Sequence, residues 1–574
     1  MLSIYDDAII LISEFLTNKE KIKLSATSCL MDALKYKFFY TDKIHVDFIS
    51  HLPFYDNFMY VKISRQTNQK MPQKAKYVSY KANSLNDMQK MITHLQFSDS
   101  FNQIIKDEIP LSVQHLTFND KFNQPIKGNN LSRVTHLTFG DSFDQPIHGN
   151  IPSSVTHLTF GYNFNQPIEF SIPSTVTHLT FGDKFNQSIE SINISKITHL
   201  IFGDKFNQPI LGNIPPHINY LEFGNDFNQP IQNALPLSVT HLIFGDDFDQ
   251  PINDYIPINV QYLTFGWSFN RSIKNCIPPH VQHLTFNGNF NQSIKNNIPP
   301  SVTHLKLSAY FNKSIPYHNS SITHLTFSNS YNKTHKIPPC VTHLTFGFDF
   351  NQPLADIIPP SVTHLTFGCD FNQPTNDLFP SITHLTFGDT FNKSIINAIP
   401  PSVTHLIFGW KFNNPIEDAI PPAVTYLKFG MNFNQHIKGN IPASVTHLTF
   451  GYDFNQSIKN AIPSSVTHLK FGNKFNRSIK NAIPLSVIYL SFGDRFDQEI
   501  ENNIPTSVIY LKFGDRFNQP LYNCIPSSVK RLTFGRYFNQ QINNCMPSSV
   551  TRLVIPKNYK HPINNTNIII KYVH

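Results

Sequence analysis

Apolar residues recur along this chain at one fixed spacing. The leucine that follows the Thr-His pair is a convenient reference. It falls at 95 and then every 21 residues to 305, at 325, 344, 365 and 385, and again every 21 residues from 406 to 553. In a representative unit the apolar positions around it are Val155, Leu158, Phe160, Phe164, Ile168 and Ile172. Leu158 and Phe160 stand two apart, so they share one face of an extended strand, and His157 and Thr159 share the other. Thr and Phe both favour strands. Gly161 lets the chain leave the strand in a conformation closed to other residues, and Pro173, which cannot donate to a ladder, marks the approach to the next strand. The apolar positions after Gly161 turn back towards the core. So short a unit leaves little room for a helix on the return side, and turns with at most a short 3₁₀ segment are predicted there.

One such unit cannot fold alone. Each fully buried side chain contributes roughly 1.5–3 kcal/mol, while ordering the backbone costs on the order of 1–2 kcal/mol for every residue. Stacking supplies the missing burial and joins the strands side by side. A period in the twenties is that of a leucine-rich repeat, and Val-x-x-Leu-x-Phe matches its opening. The predicted fold is a leucine-rich-repeat-like β-solenoid with one parallel sheet and about 22 coils of about 21 residues, preceded by a short α-helical domain. The position six after the reference is Phe from Phe101 to Phe538, except for Tyr331, and the next is Asn or, at 144, 249 and 497, Asp. A column of Phe beside a ladder of Asn is expected to be structural, the amide bonding turn backbone in its own and adjacent coils.

The ends differ. Residues 1–40 read as three short helices. Thr17 to Glu20 forms a capping box for the second, and Leu30, Leu34 and Phe38 give the third its stripe. Residues 41–91 form a connector with degenerate lead-in coils, Tyr60 to Ile63 and Tyr77 to Tyr80 being strand-like; the array occupies 92–556; and 557–574 adds a final edge strand.

Composition narrows the function. Charged residues are 15% of the chain and the net charge of +8 is spread out, with no dense Lys/Arg run, so no nucleic-acid footprint is expected. No apolar run is long enough to span a membrane, and the N-terminus lacks the basic start of a signal peptide. The six cysteines form no CxxC pair. Cys276, Cys524 and Cys545 share a repeat position with Ala398, Ala419, Ala461 and Ala482, which points to a small buried residue and a reduced, intracellular setting.

The motif Phe164-Asn165-Gln166-Pro167-Ile168, preceded by Ser154 to Gly161 and followed by Ile172-Pro173, resembles the FNIP repeat family over about residues 92 to 556. The resemblance implies a leucine-rich-repeat-like array of the kind found in amoebae and their giant viruses, with no general enzymatic activity. A second resemblance is to the F-box, carried by Ile4, Ile9, Leu11, Ile12, Phe15, Leu16, Ile22 and Leu24, although Ile4-Tyr5 stands where an F-box usually has Leu-Pro. It implies a Skp1-type adaptor as partner of those residues, and a cytoplasmic substrate receptor of a cullin-type ubiquitin ligase whose solenoid binds the target. The alternative is that the helices only cap the open end of the array.

The residue before the reference leucine is His in most repeats, from His94 to His468. Tyr replaces it at 220, 262, 426, 489 and 510, and Arg at 531 and 552. An interrupted straight ladder does not converge on a metal, so no metal or cofactor is assigned. Neighbouring imidazoles should instead resist being charged together. No catalytic residue is assigned either: there is no GxSxG, P-loop or HExxH, and no recurring pair of acids. Recognition of a protein target should sit where repeats differ. Four residues past the reference stand Tyr162, Trp267, Phe348, Trp410, Met431 and Tyr452, typical interface anchors. Lys470, Lys512, Arg531 and Arg552 make the later coils basic and suit a partner with an acidic patch.

Overall fold

The structure is a computed structural model that describes residues 9–11, 13–14, 16–25, 29–63, 71–84, 91–106, 109–190, 196–315, 321–522, 524–543, 545–563 and 568–573. The chain divides into two compact units, residues 1–271 with 275–281 and residues 272–274 with 282–574. Each is a leucine-rich-repeat-like parallel β-solenoid. The first carries β1 (Ile44–His45), β2 (Tyr60–Ile63) and β3 (Tyr77–Ala82) ahead of the repeats, then β4 (His94–Phe97) and one strand per repeat to β12 (Tyr262–Phe265). The second runs from β13 (His283–Phe286), one strand per repeat, to β26 (Arg552–Pro556), and β27 (Ile569–Val573) pairs in parallel against β26. Within each unit reference leucines oppose one another. This holds for Leu305 with Leu325 and Leu325 with Leu344, so the shortened repeats lose residues from their return turns and not from the strand. Those turns are irregular, with one described 3₁₀ segment, Gly128–Leu131.

Two columns of phenylalanine run through the core beside the buried Val, Leu and Ile of the coils. Within a coil Phe160 stacks on Phe164 with centroids 3.8 Å apart. Between coils Phe160 lies 5.9 Å from Phe181, and Phe164 lies 6.1 Å from Phe185. On the opposite face of the sheet, His157 and His178 are only 4.2 Å apart. Strand spacing is about 4.8 Å, so the coils are wedges with their thin edge at the histidines. Within each unit the sheet therefore curves with His and Thr on its inner side.

Two features hold one coil to the next. At the glycine that follows most strands, backbone meets backbone: a Cβ on Gly161 or Gly430 would fall on the carbonyl of the preceding coil's glycine. At the Asn ladder the side-chain oxygen accepts twice from the following coil. Asn165 Oδ1 takes the backbone N–H of Asn186 at 2.9 Å and Nε2 of Gln187 at 3.1 Å. Only an acceptor is used, which is why Asp144 serves Asn165 and Gln166 equally well at 2.9 Å. A third regularity is in the return turn, twelve residues past the reference. Gly149, Gly212, Gly439, Asn275, Asn460, Asn481 and Asn502 there have positive φ, a conformation Gly and Asn tolerate best.

At the N-terminal end, residues 9–11 and 13 are helical, followed by helices Asn18–Ser25 and Cys29–Leu34. The capping box forms, with Glu20 N–H donating to Thr17 Oγ1 and Thr17 N–H to Glu20 Oε2. The last helix is shorter than the Leu30-to-Phe38 stripe implies. Tyr40 N–H bonds Asn57 O at 3.1 Å and bridges Phe58, so the chain must leave the helix, and Phe38 reaches the core from a turn. Ile4, Ile12 and Phe15 lie outside the described residues.

These contacts predict the cost of disturbing them, read by urea denaturation. Gly430→Ala should destabilise by about 3 kcal/mol or more, because backbone cannot move aside. Gly439→Ala, with φ of 80 but open space around it, should cost only about 1–2 kcal/mol. Asn165→Ala should cost about 1–3 kcal/mol by leaving two donors unpaired, whereas Asn165→Asp should be close to neutral.

Candidate protein-binding surfaces

The inner sheet face is built from the pair Thr-His. Thr156 Oγ1 lies 3.2 Å from the carbonyl of Thr135 and 3.0 Å from Nδ1 of His157. A carbonyl only accepts, so the hydroxyl donates to it and Nδ1–H donates to the hydroxyl. The arrangement recurs, for example at Thr363-His364 and Thr446-His447. It leaves Nε2 as the atom that takes up a proton. The rings stack about face to face, His136 and His157 at 4.0 Å and His343 and His364 at 4.1 Å. Burial lowers the imidazole pKa, and neighbouring imidazoles lower it further, at His136, His157, His178, His304, His324, His364 and His384. His94 and His115, again chiefly through burial, are pushed down to about 4. Among the described residues no three His, Cys, Asp or Glu converge as metal ligands. The stripe is a hydrogen-bonded sheet surface.

The side chains that sequence reading took as candidate interface anchors stand at the exits of the strands. Tyr162, Trp267, Phe348, Trp410, Met431 and Tyr452 are all exposed, Trp410 most of all at 59%. Trp410, Met431 and Tyr452 sit on three consecutive coils, tied by Asn432 N–H to Trp410 O and Asp453 N–H to Met431 O, both at 2.8 Å. They form one apolar ridge, whereas the same row in the first unit is interrupted by Asp141, Asp183 and Asp204. Lys184 covers Tyr162, with Nζ 5.3 Å from its ring centroid. Lys474 lies 5.6 Å from the centroid of Tyr452 and pairs with Asp453 at 2.7 Å. The basic candidates Lys470, Lys512 and Arg552 are exposed on the sheet face itself, and Arg531 is half-buried there. Sequence reading passed over Ile488 and Ile509, each 41% exposed. The signal was present: both occupy the position that is Thr in most repeats.

Cys276 and Cys524 are buried like the alanines that share their position, and Cys545 is half-buried. At the N-terminal end, Leu11 and Ile22 are exposed while Ile9, Leu16 and Leu24 are half-buried. The first two helices bury polar residues, Ser13, Asn18, Lys21 and Ser25, and the third buries Leu34. Asn18 exchanges bonds with Asp42, its N–H reaching Asp42 Oδ2 at 2.7 Å, and Lys21 Nζ donates to Phe39 O at 2.6 Å. Burial lowers the Lys21 pKa, opposed by Asp42 and Glu14.

A parallel solenoid with Val-x-x-Leu-x-Phe strands defines a leucine-rich-repeat-like protein. FNIP repeats match in overlapping stretches from residue 88 to residue 558, and the chain belongs to the FNIP repeat family. It is similar to a crystal structure described as "CroV588 a novel circular LRR protein structure", with 37% identity, a TM-score of 0.68, and 92% of this chain and 87% of that one covered. It shares its fold with the TLR13–ssRNA13 complex structure, at 13% identity and a TM-score of 0.50 over 89% of this chain and 80% of that one. No protein with a curated functional description matches. Among the described residues no helix is long and apolar enough to cross a membrane.

The lowered imidazole pKa values make stability pH-dependent. The unfolded chain binds protons near the ordinary value of 6.5 and the folded stripe binds them lower, to about 4 at His94 and His115. Unfolding is therefore favoured as protons bind. The melting temperature should be level above 6.5 and fall steadily from there towards 4. A level profile through that range would refute the coupling.

Proposed function

We propose that this chain is a non-enzymatic protein-binding subunit, the substrate receptor of a cullin-type ubiquitin ligase, acting in the cytoplasm. The solenoid takes the target, and the N-terminal helices join a Skp1-type adaptor. The observation that carries the reading is the orientation of those helices. A plain cap turns apolar residues towards the open end of the array and polar ones to water. Here Asn18, Lys21, Ser13 and Ser25 are buried, and Leu11 and Ile22 are left exposed. Leu11 and Ile22, exposed among Glu14, Thr17, Lys19 and Glu20, are what an adaptor groove would cover. The FNIP repeats and an Asn-, Ile-, Lys- and Phe-rich composition support an amoebal or giant-virus source.

A ligase-independent scaffold is the second reading, favoured by the burial of Leu34, Phe38 and Tyr40 at the same end. Deleting residues 1–40 would remove those core residues and destabilise the protein under either reading. Leu11→Asp and Ile22→Asp avoid that problem. With purified full-length protein and a Skp1-type adaptor, the ligase reading predicts a complex with the natural chain, and its loss in both variants at an unchanged melting temperature. Folded natural protein that binds no adaptor would refute it and leave the scaffold.

A further inference from the structure

Two adjacent coils depart from the repeat at every outward position. Thr, His and Thr are each the commonest residue at the three outward positions, but β23 (Tyr489–Ser491) and β24 (Tyr510–Lys512) are preceded by Ile488 and Ile509 and present Tyr-x-Ser and Tyr-x-Lys. Elsewhere the Thr hydroxyl bonds the preceding coil's carbonyl, as Thr467 does to Thr446 O at 3.2 Å. Isoleucine gives up that bond and shows water an aliphatic side chain. The two isoleucines are neighbours, Ile509 N–H donating to Ile488 O at 2.9 Å. Beside them the rings of Tyr489 and Tyr510 stack at 4.5 Å and 7°. Four side chains thus make a small apolar and aromatic platform on the inner sheet face.

The platform is framed by cations. Lys470 and Lys512 stand on alternate coils, and Lys530, Arg531 and Arg552 follow. Arg531 opposes Arg552 in register, a like-charge pair that disfavours the sheet. From Thr446 to Val554 no outward strand position carries a carboxylate. The ion pairs described in this stretch, Lys474–Asp453 and Arg536–Asp515, lie at the strand exits and leave these cations uncompensated. The array gives up stability here twice, by exposed isoleucine and by paired arginine, where its own repeat offers better choices.

We infer that the sheet face over residues 467–554 is the docking site for an extended acidic protein segment. Aliphatic or aromatic side chains of the segment rest on Ile488, Ile509, Tyr489 and Tyr510, and its carboxylates meet Lys470, Lys512, Arg531 and Arg552. Charge complementarity selects this occupant. The inference rests on the solenoid being the target-binding part of the protein.

The probe is a fluorescent peptide of roughly eight residues alternating Asp with Leu and Tyr, long enough at about 3.3 Å per residue to cross these strands. Fluorescence anisotropy with full-length protein should show saturable binding weakened by added salt. Ile488→Thr with Ile509→Thr, and separately Lys470→Thr with Lys512→Thr, install the common repeat residue, so the coils should stay folded. Each pair should weaken binding at least about tenfold. The same peptide with Lys for Asp should not bind. No saturable binding, or binding unchanged in both paired variants, would overturn the inference. So would tighter competitive binding of a single-stranded oligonucleotide, or a dimer that the isoleucine variants dissolve, since the face would then belong to nucleic acid or to a second copy. Adaptor binding measured on the same variants separates the cases: its retention confines a failure to this surface, and its absence in the natural chain is a failure of the ligase reading.

Discussion

Backbone-to-backbone contact at the glycine that follows most strands is the constraint on which the rest of the structure depends. Where glycine stands nothing larger than hydrogen fits, and the coils with Ser308 and Ser328 at that position keep the same strand register. That register puts leucine over leucine and ring over ring. It also brings the amide oxygen of one coil within reach of two donors on the next. Buried backbone must find a partner, and at buried Phe160, whose N–H donates to Thr180 O at 2.9 Å, the partner comes from the neighbouring coil. A coil therefore satisfies its own polar groups only in an array, which makes stacking a requirement and not merely a gain in burial.

The wedge shape of the coil follows from unequal thickness. Two stacked phenylalanines fill the return side, and a single imidazole fills the sheet face. Curvature thus comes from composition at three positions, Phe160, Phe164 and His157 in the representative coil. It also explains why the histidines are crowded. Their ring spacing, 4.2 Å at His157–His178, is shorter than that of any phenylalanine column beneath them, and the resulting burial and mutual repulsion hold their pKa values down.

Much of this was legible in the residues. Spacing alone separates Leu158 and Phe160 from His157 and Thr159, and the structure buries the first pair and half-exposes the second. Asn and Asp trading places at Asn165 and Asp144 already implied an acceptor. Other features needed three dimensions. The helix ending at Leu34 was invisible because its end is set by a bridge from Tyr40 to Phe58, far along the chain. The positive φ at Asn460 or Asn481 was written as a recurrent Asn, yet recurrence alone does not distinguish a turn residue from a ladder residue. The exposure of Leu11 and Ile22 was hidden for a related reason. Apolar residues on a short helix read as its buried stripe, and only the Asn18–Asp42 and Lys21–Phe39 contacts show that Asn18 and Lys21 face inward.

A repeat of this regularity changes where functional information can reside. Positions that fit the coil to its neighbour are fixed by packing, so their prominence says little about a ligand; the histidine stripe is the clearest instance. Departures from the repeat carry more, provided they cost something. Tyr426 in place of His keeps the Thr beside it and disturbs little. Ile488 and Ile509 abandon a hydrogen bond and expose carbon, and Arg531 faces Arg552 with no acid between them. Substitutions that cost the free protein stability, gathered on adjacent coils of one face, are accounted for most economically by a partner that restores what the array has given up. Trp410, Met431 and Tyr452 lie on the same unit but at the strand exits, where the repeat imposes no preference, so their exposure alone is weaker ground for a site than the sheet-face cluster.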